Sequence, residues 1–340
     1  MKPVNRYLAI ASVLFLPAAA AAENLQQAWS DAVASHNQLA AAAARRDAAG
    51  LNLESAQAER WPQLDVTSSF TQLDEAPRFD FGAGTMSQPL FDSDNFVQAG
   101  VQVSLPLYAG GAISAGVDAA EYAAEASEEQ YEALLQDIKL GTGEHYVQVL
   151  RAESGLEVAE SNVRTLQAHT ELARRQYDFG SVPKNDFLAA SVALADAEQR
   201  KLQAENALDY ARAAYNRFLN RPLDQPVALD PELSLDHLVP AGETLEMLIL
   251  TATEQRDELA VLKAEVNSLR ENSTAVRAQS RPQFALTGGY MYLENAFLDS
   301  DEFWMAGVSF QWSLFNAGRN RDRAAALERQ ALAVNHMRSD

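Results

Sequence analysis

The chain has 340 residues, of which 47% are hydrophobic and 22% are charged, so its composition excludes extensive disorder. It contains no cysteine, which excludes disulfides, thiolate metal sites, cysteine catalysis and a lipidated N-terminal cysteine. With 27 Lys and Arg against 47 Asp and Glu, the net charge of −20 would repel a phosphate backbone unless the basic residues formed one patch. The sequence shows no such patch, and we expect no nucleic-acid partner.

The first 22 residues have the features of a secretory signal peptide. Lys2 and Arg6 precede the apolar run Leu8–Leu16, and an alanine tract ends at Ala22. The apolar run is too short for a transmembrane anchor, which needs about 20 apolar residues. We therefore predict cleavage after Ala22 and export of the mature chain. Because no later stretch of sequence resembles a membrane-spanning helix, any insertion into a membrane would use β-strands.

The sequence matches itself at an offset of 220 residues, which indicates an internal duplication. The identical pairs include Glu23 and Glu243, Leu25 and Leu245, Leu39 and Leu259, Ala40 and Ala260, Ala58 and Ala278, Pro62 and Pro282, and Gln63 and Gln283. We predict a first structural repeat over residues 23–242 and a second, incomplete repeat over residues 243–340. Each begins with one helix, over 23–61 and over 243–281, whose apolar residues follow the spacing of a coiled coil.

Two β-hairpins are predicted over residues 62–108 and 282–315, because the hydrophobic period there changes to two. Apolar residues alternate with polar or small ones, and aromatic residues lie toward the strand ends. We predict that the apolar faces contact membrane lipid; an amphipathic hairpin on a soluble core is the alternative. The candidate lipid-facing residues are Val97, Val101, Val103, Leu105, Val308, Phe310 and Trp312. Small barrels need about 8 strands, so these four strands require further chains.

Residues 112–219 predict an antiparallel coiled-coil hairpin of two long helices, with alanines that permit close approach. The helices turn at Phe179, Gly180, Ser181 and Val182. The apolar side chains of Phe179 and Val182 either are exposed for a partner to bury or pack on each other to close the turn. Prolines mark residues 220–242 as a loop-rich connector, and residues 318–340 predict the start of a second long helix.

We find no catalytic, metal or cofactor site in the sequence. The five histidines lack ligand spacing, and Glu144-His145 lacks the second histidine of a zinc-binding helix. The glycines after the first hairpin do not fit a phosphate-binding loop, because Val117 and Asp118 stand where Lys and Ser or Thr are needed. We expect neither enzymatic activity nor a bound cofactor or metal.

Four segments resemble the TolC-like outer-membrane efflux protein family, the outer-membrane factors of tripartite efflux and type I secretion systems. Arg175–Val182 and Asp186–Ala190 look like the helix-tip turn of the family. Arg217–Leu223 resembles the motif that closes the first repeat, and Leu105–Gly111 resembles the exit from the second strand. The signal peptide, the duplicated pattern of helix, β-hairpin and long helix, and the coiled-coil hairpin also resemble this family, and their order over residues 23–340 makes the resemblance specific.

The resemblance implies a mainly α fold with transmembrane β-structure. Long antiparallel coiled-coil helices would form a periplasmic tunnel, and two β-hairpins would give four strands to a trimeric, 12-stranded barrel. It implies passive export of drugs, metals or polypeptides across the outer membrane of a Gram-negative bacterium. The implied partners are a homotrimer, a periplasmic adaptor (membrane fusion) protein at the turn 179–182, an inner-membrane pump and outer-membrane lipid. The alternative is a periplasmic coiled-coil adaptor or scaffold without a pore.

The second repeat is expected to be incomplete. Its strand ends match those of the first repeat at an offset of 207 residues, so Asp340 corresponds to residue 133 and the counterparts of residues 134–242 are missing. We expect either a fragment of a protein of ~450 residues or a truncated product that is defective in export.

Overall fold

The computed structural model describes residues 22–75, 78–79, 88–89, 91, 94–232, 244–295 and 299–339. The predicted signal peptide lies outside the described residues except for Ala22, as does the connector from residue 233 onward. The described residues confirm a mainly α-helical fold with a four-stranded antiparallel sheet. They divide into two compact units, Met1–Asn37 with Leu135–Glu243, and Gln38–Leu134 with Thr244–Asp340, which we call unit 1 and unit 2.

Helices account for most of the described chain. They are α1 Leu25–Ser35, α2 Asn37–Ala58, α3 Ala112–Asp178, α4 Lys184–Phe218, α5 Leu245–Gln255, α6 Asp257–Ala278 and α7 Arg319–Ser339. None of the helices in the described ranges is both long and apolar enough to cross a membrane.

Two helices precede each hairpin where the sequence predicts one. The breaks fall at His36 and Arg256, whose ψ angles are 112° and 122°, and these positions correspond at the repeat offset of 220. At the first break Ser35 Oγ donates to the Leu219 carbonyl at 3.0 Å, and Asn220 Nδ2 donates to the Ser35 carbonyl at 3.5 Å. Polar groups at this break therefore form hydrogen bonds with residues about 185 positions away in sequence. The spacing of apolar residues within the helix could not indicate these bonds.

The strands form one large sheet and one small one. They are β1 Gln63–Gln72, β2 Arg78–Phe79, β3 Gln88–Pro89, β4 Asn95–Tyr108, β5 Gln283–Leu293 and β6 Glu302–Gln311. The large sheet has the order β1-β4-β5-β6, and all its neighbours are antiparallel. Each predicted hairpin supplies two of its strands, and β4 and β5 join the hairpins. The edges of the sheet are therefore β1 and β6.

Helices α3 and α4 pack against each other in unit 1 through the predicted apolar stripe. Val163 and Ala173 of α3 and Ala190, Ala197 and Leu208 of α4 are buried. The small side chains let the two backbones approach closely. This contact extends along the whole length of α4.

Lys201 interrupts that stripe with a charged group. Its Nζ lies 3.3 Å from Glu160 of α3 and 3.5 Å from Glu205 of α4. The hydrogen bond to Glu160 raises the pKa of Lys201, so the ammonium stays charged. The aliphatic stem can pack on the stripe while the charged end reaches the two carboxylates at its edge.

The end of α4 forms the centre of unit 1. The Phe218 ring lies between His36 and His145, with ring centroids 5.5 Å and 4.9 Å away. It also covers Gly141, where an added Cβ would lie 2.6 Å from Phe218 Cζ. The next residue, Leu219, is almost fully buried. A glycine in the middle of α3 thus makes room for the ring that ends α4.

An ion-pair network then fixes the N-terminal segment to this centre. Arg221 donates to both carboxylate oxygens of Glu23 at 2.9 Å and to Asp31 at 2.6 Å. Glu23 also forms a parallel bridge with Leu229. The Tyr146 hydroxyl lies 2.8 Å from the Glu23 carbonyl, and burial raises the pKa of this hydroxyl. Segments about 200 residues apart in sequence are joined here.

In unit 2, α6 is the central helix. Ser268 Oγ donates to the Ala119 carbonyl of α3 at 2.8 Å, and Ser273 Oγ donates to the Ala324 carbonyl of α7 at 3.1 Å. The buried apolar side chains of these helices include Ala119, Ala126, Val261, Ala264, Val266, Val276, Ala278, Ala324 and Ala331. Small residues again dominate the contacts between helices.

Candidate functional site

The residues predicted to face lipid share one face of the four-stranded sheet. Residues of equal parity in a strand point to the same side, and strand pairing extends that side across the sheet. Leu105 of β4 pairs with Leu286 of β5, which pairs with Val308 of β6. Six of the seven predicted residues, Val97, Val101, Val103, Leu105, Val308 and Phe310, lie within strands on this face, and Trp312 follows β6 by one residue. We call this side of the sheet the apolar face.

Two aromatic rows bound the apolar face. In the row nearest the helices, a register shift between Pro106 and Tyr108 brings Tyr108 opposite Phe284, whose ring lies 5.1 Å from that of Phe310. In the row toward the strand tips, the rings of Tyr290 and Trp304 are also 5.1 Å apart. Phe284 and Tyr290 are six positions apart along β5, which places the two rows about 20 Å apart at 3.4 Å per residue. This band approaches the ~25 Å apolar height of outer-membrane barrels.

A concavity between the aromatic rows was not predicted. Gly288 stands opposite Val103 of β4 and Ala306 of β6, so this central row has little side-chain volume. Its open volume is about 560 Å³, and it is lined by Val101, Val103, Gly288, Gly289, Tyr290, Trp304 and Met305. The two adjacent glycines within a strand are the sequence signal that could have indicated it.

The opposite face of the sheet is mainly polar or small. Its residues include Asp65, Thr67, Ser69, Gln98, Gly100, Gln102, Ser104, Gln283, Thr287, Gly289, Gly307, Ser309 and Gln311. On the apolar face, Trp304 is 81% exposed and Val308 is 63% exposed. The sheet therefore presents an apolar surface on one side and a mostly hydrophilic surface on the other.

The turn between α3 and α4 is a second candidate surface. Gly180 adopts a φ of +73°, which favours glycine, and its N–H donates to the Tyr177 carbonyl at 2.9 Å. Ser181 N–H donates to the Gln176 carbonyl at 2.8 Å. These two bonds form a Schellman motif, which ends α3 in a defined direction. Pro183 is then the N-cap residue of α4.

The apolar residues of this turn have different surroundings. The rings of Tyr177 and Phe187 stack at 6.1 Å and close the hairpin just below the turn. Phe179 is 85% exposed, whereas Val182 is partly buried. The structure thus brings the predicted tip residues together at one end of the hairpin and leaves a large apolar ring on its surface.

Carboxylates cluster on unit 2 without forming a metal site. Burial, with help from Asp257, Glu125, Glu132 and Glu128, raises the pKa of Glu129. Within the described ranges, no group of three or more His, Asp or Glu residues is placed to hold a metal ion. These carboxylates chiefly repel one another, and the repulsion lowers the stability of the folded protein.

Comparisons with known proteins identify relatives of the chain. A family model described as outer membrane efflux protein matches residues 28–221 and 248–340. Outer membrane protein TolC of Vibrio cholerae is 26% identical over 298 residues, which cover 87% of this chain and 64% of TolC. Alkaline protease secretion protein AprF of Pseudomonas aeruginosa is 24% identical over 274 residues, which cover 76% of this chain and 51% of AprF. The chain thus spans less than two thirds of these relatives.

Solved structures share the fold. CusC superposes with a TM-score of 0.76 at 18% identity, over 92% of this chain and 71% of its own. Outer membrane protein VceC of Vibrio cholerae superposes with a TM-score of 0.74 at 17% identity, over 93% of this chain and 75% of its own. At such identities, the similarity concerns the arrangement of helices and strands.

Proposed function

Because the chain belongs to the outer membrane efflux protein family, we propose that it is the channel subunit of an export system in a Gram-negative bacterium. Its strands form part of a barrel in the outer membrane, and its helices form part of a periplasmic tunnel. Substrates pass through both passively, from the periplasm to the exterior. The observation that carries this proposal is the continuous apolar face between two aromatic rows.

The functional unit that we propose is a homotrimer. Among the described residues, β1 and β6 form the edges of the sheet and have no strand partner on their outer sides, and unpaired backbone groups are costly in a bilayer. Pairing β6 of one copy with β1 of the next satisfies these groups, and three copies supply 12 strands. The apolar face then contacts outer-membrane lipid, and the polar face lines the channel.

The channel works within a tripartite efflux or type I secretion system. In this arrangement a periplasmic adaptor (membrane fusion) protein connects the channel to an inner-membrane pump, which supplies the energy. We place the adaptor contact at the turn formed by Phe179, Gly180, Ser181 and Val182. The exposed Phe179 ring supports this placement, because a partner can bury it.

Conductance and electrophoresis test the proposal together. The purified full chain should migrate as a trimer in detergent and as a monomer after boiling, because closed barrels resist unfolding. In planar bilayers it should produce discrete conductance steps whose frequency follows the trimer fraction. A periplasmic adaptor without a pore would give heat-independent migration and no conductance, and this result would contradict the channel.

A further inference from the structure

Five arginines lie where the helices meet the base of the four-stranded sheet. Arg60 follows α2, Arg281 follows α6, and Arg319, Arg321 and Arg323 occupy the start of α7. All five are exposed. They come from three separate segments of sequence, and we call them the basal arginine cluster.

Hydrogen bonds bring these segments side by side. Arg281 Nη1 donates to the Gly110 carbonyl between β4 and α3 at 2.9 Å. Trp312 Nε1 donates to the Ser280 carbonyl at 3.1 Å, and Asn320 Nδ2 donates to Ser280 Oγ at 3.3 Å. The end of α6 therefore touches both the start of α3 and the start of α7.

Arg60 borders the same junction from the other side. An open concavity of about 310 Å³ extends from Arg60 along the end of β4 to the start of α3. Its lining includes Tyr108, Gly111 and Ser114. The basal arginine cluster thus follows the base of the sheet from one edge to the other.

Intramolecular ion pairs do not account for the cluster. Arg321 pairs with the adjacent Asp322 at 3.0 Å, and Arg281 bonds to a carbonyl. Arg60, Arg319 and Arg323 have no acidic side chain within 4.0 Å among the described residues. Three of the arginines also stand at the start of a helix, where the helix dipole disfavours positive charge. Their positions therefore do not stabilise α7 and suit an external anion.

Exposed aromatic residues separate the arginines from the strands. Trp61 is 70% exposed and stands between Arg60 and β1. Trp312 and Phe315, the latter 87% exposed, stand between β6 and Arg319. The order from strand to helix is apolar band, aromatic residues and then arginines. A bilayer has the corresponding order of hydrocarbon, interface and phosphate headgroups.

We propose that the basal arginine cluster binds the phosphate headgroups of anionic phospholipids in the leaflet that faces the periplasm. The inference rests on the proposed function, because it requires the strands to span the outer membrane. Guanidinium groups suit this ligand, since they donate two parallel hydrogen bonds to phosphate oxygens. Binding at the sheet base holds the channel at a fixed depth in the membrane.

Fluorescence quenching by brominated lipids tests the site in a full chain that carries Trp29→Phe and Trp304→Phe, so that Trp61 and Trp312 beside the site are the reporters. The full chain is reconstituted in vesicles of phosphatidylcholine and in an equimolar mixture of phosphatidylcholine and phosphatidylglycerol, with bromine on the acyl chains of one lipid at a time. We expect phosphatidylglycerol to quench preferentially, and high salt to reduce this preference.

A triple variant, Arg60→Gln with Arg319→Gln and Arg323→Gln, should lose about fivefold or more of that preference. About fivefold is the lower bound, because it is the contribution expected from a single arginine near an anionic surface. The matched control replaces three exposed arginines of the helical hairpin, Arg151→Gln with Arg174→Gln and Arg200→Gln, and should retain it. Equal quenching by both lipids, or an equal loss in both triple variants, overturns the headgroup site and leaves the channel proposal intact. Absence of quenching by either lipid overturns both.

Discussion

Gly141 shows how one missing side chain determines the packing of two helices. Glycine in a helix costs about 0.5–1 kcal/mol relative to alanine, yet this one lies in the middle of α3. The Phe218 ring occupies the space that a Cβ would need. The close approach of the ring, together with the two flanking histidines, accounts for the glycine.

We predict that Gly141→Ala destabilises the protein by about 1–2 kcal/mol, because overpacking exceeds the gain in helix propensity. Gly155→Ala in the same helix is the control, since nothing lies within 4 Å of its added Cβ, and it should stabilise by about 0.5–1 kcal/mol. Denaturant unfolding followed by helical circular dichroism measures both. Equal free energies of unfolding for the two variants would mean that the Phe218 ring moves aside at no cost.

Glu129 makes stability depend on pH. Its pKa is raised by burial and by neighbouring carboxylates, so the folded state favours the neutral form. This contribution to stability is fully present below the ordinary pKa of a carboxyl group and is lost as the pH rises through the raised value. Arg46 lies 3.7 Å from the neighbouring Glu128 and offsets part of the repulsion.

Glu129→Gln should therefore stabilise the protein at neutral pH by less than ~1 kcal/mol and should flatten the loss of stability between acidic and neutral pH. Glu171→Gln, at an exposed position of the same helix, serves as the control. Melting temperatures across this pH range provide the measurement. A variant that is less stable than the original at neutral pH would contradict the repulsion.

At the scale of elements, the sheet has two faces of opposite character. Val101 and Val308 lie on the apolar face, and Gln102 lies next to Val101 on the other face. Val101→Arg or Val308→Arg should impair membrane insertion by about 2–4 kcal/mol where the site is near the midplane. Gln102→Arg should insert normally. The heat-modifiable trimer in the membrane fraction reports insertion, and normal assembly of both valine variants would disprove the lipid contact.

The helical hairpin presents its own testable surface at the turn. Ser181→Glu combined with Val182→Glu should weaken adaptor binding by about tenfold or more, because a charged tip cannot be buried against an apolar partner. Trimers should remain intact. Ser161→Glu on the exposed side of α3 is the control. Co-purification of the adaptor with each variant measures binding. Export by an exporter-deficient host that carries each variant measures function, and full export by the Ser181→Glu, Val182→Glu variant would count against the contact.

At the scale of the whole molecule, the net charge of −20 predicts a preference among ions. A tunnel built from these acidic helices should hold a negative potential, which attracts cations and repels anions. Reversal potentials in a salt gradient should therefore show a higher permeability for cations. Anion preference would indicate that the acidic side chains lie on the outer surface.

The sequence by itself determined the elements whose patterns are local. Alternation of apolar and polar residues located the four strands and their apolar face, because side chains of a strand alternate with period two. The three-four spacing located α3, α4 and their buried stripe, and Gly180 with Pro183 located the turn. The missing cysteines and the acidic composition excluded whole classes of site without any structure.

Only the tertiary structure decided which distant residues meet. Contacts between segments that are far apart in sequence determine three features. These are the helix breaks at His36 and Arg256, the packing of the Phe218 ring against Gly141, and the central row of the sheet at Gly288. The basal arginine cluster is the clearest case, because its members are scattered along a strongly acidic chain and form a group only where the ends of α2 and α6 and the start of α7 meet the base of the sheet. The period of apolar residues within an element indicates which of its faces is apolar. Tertiary packing determines which distant segment covers that face.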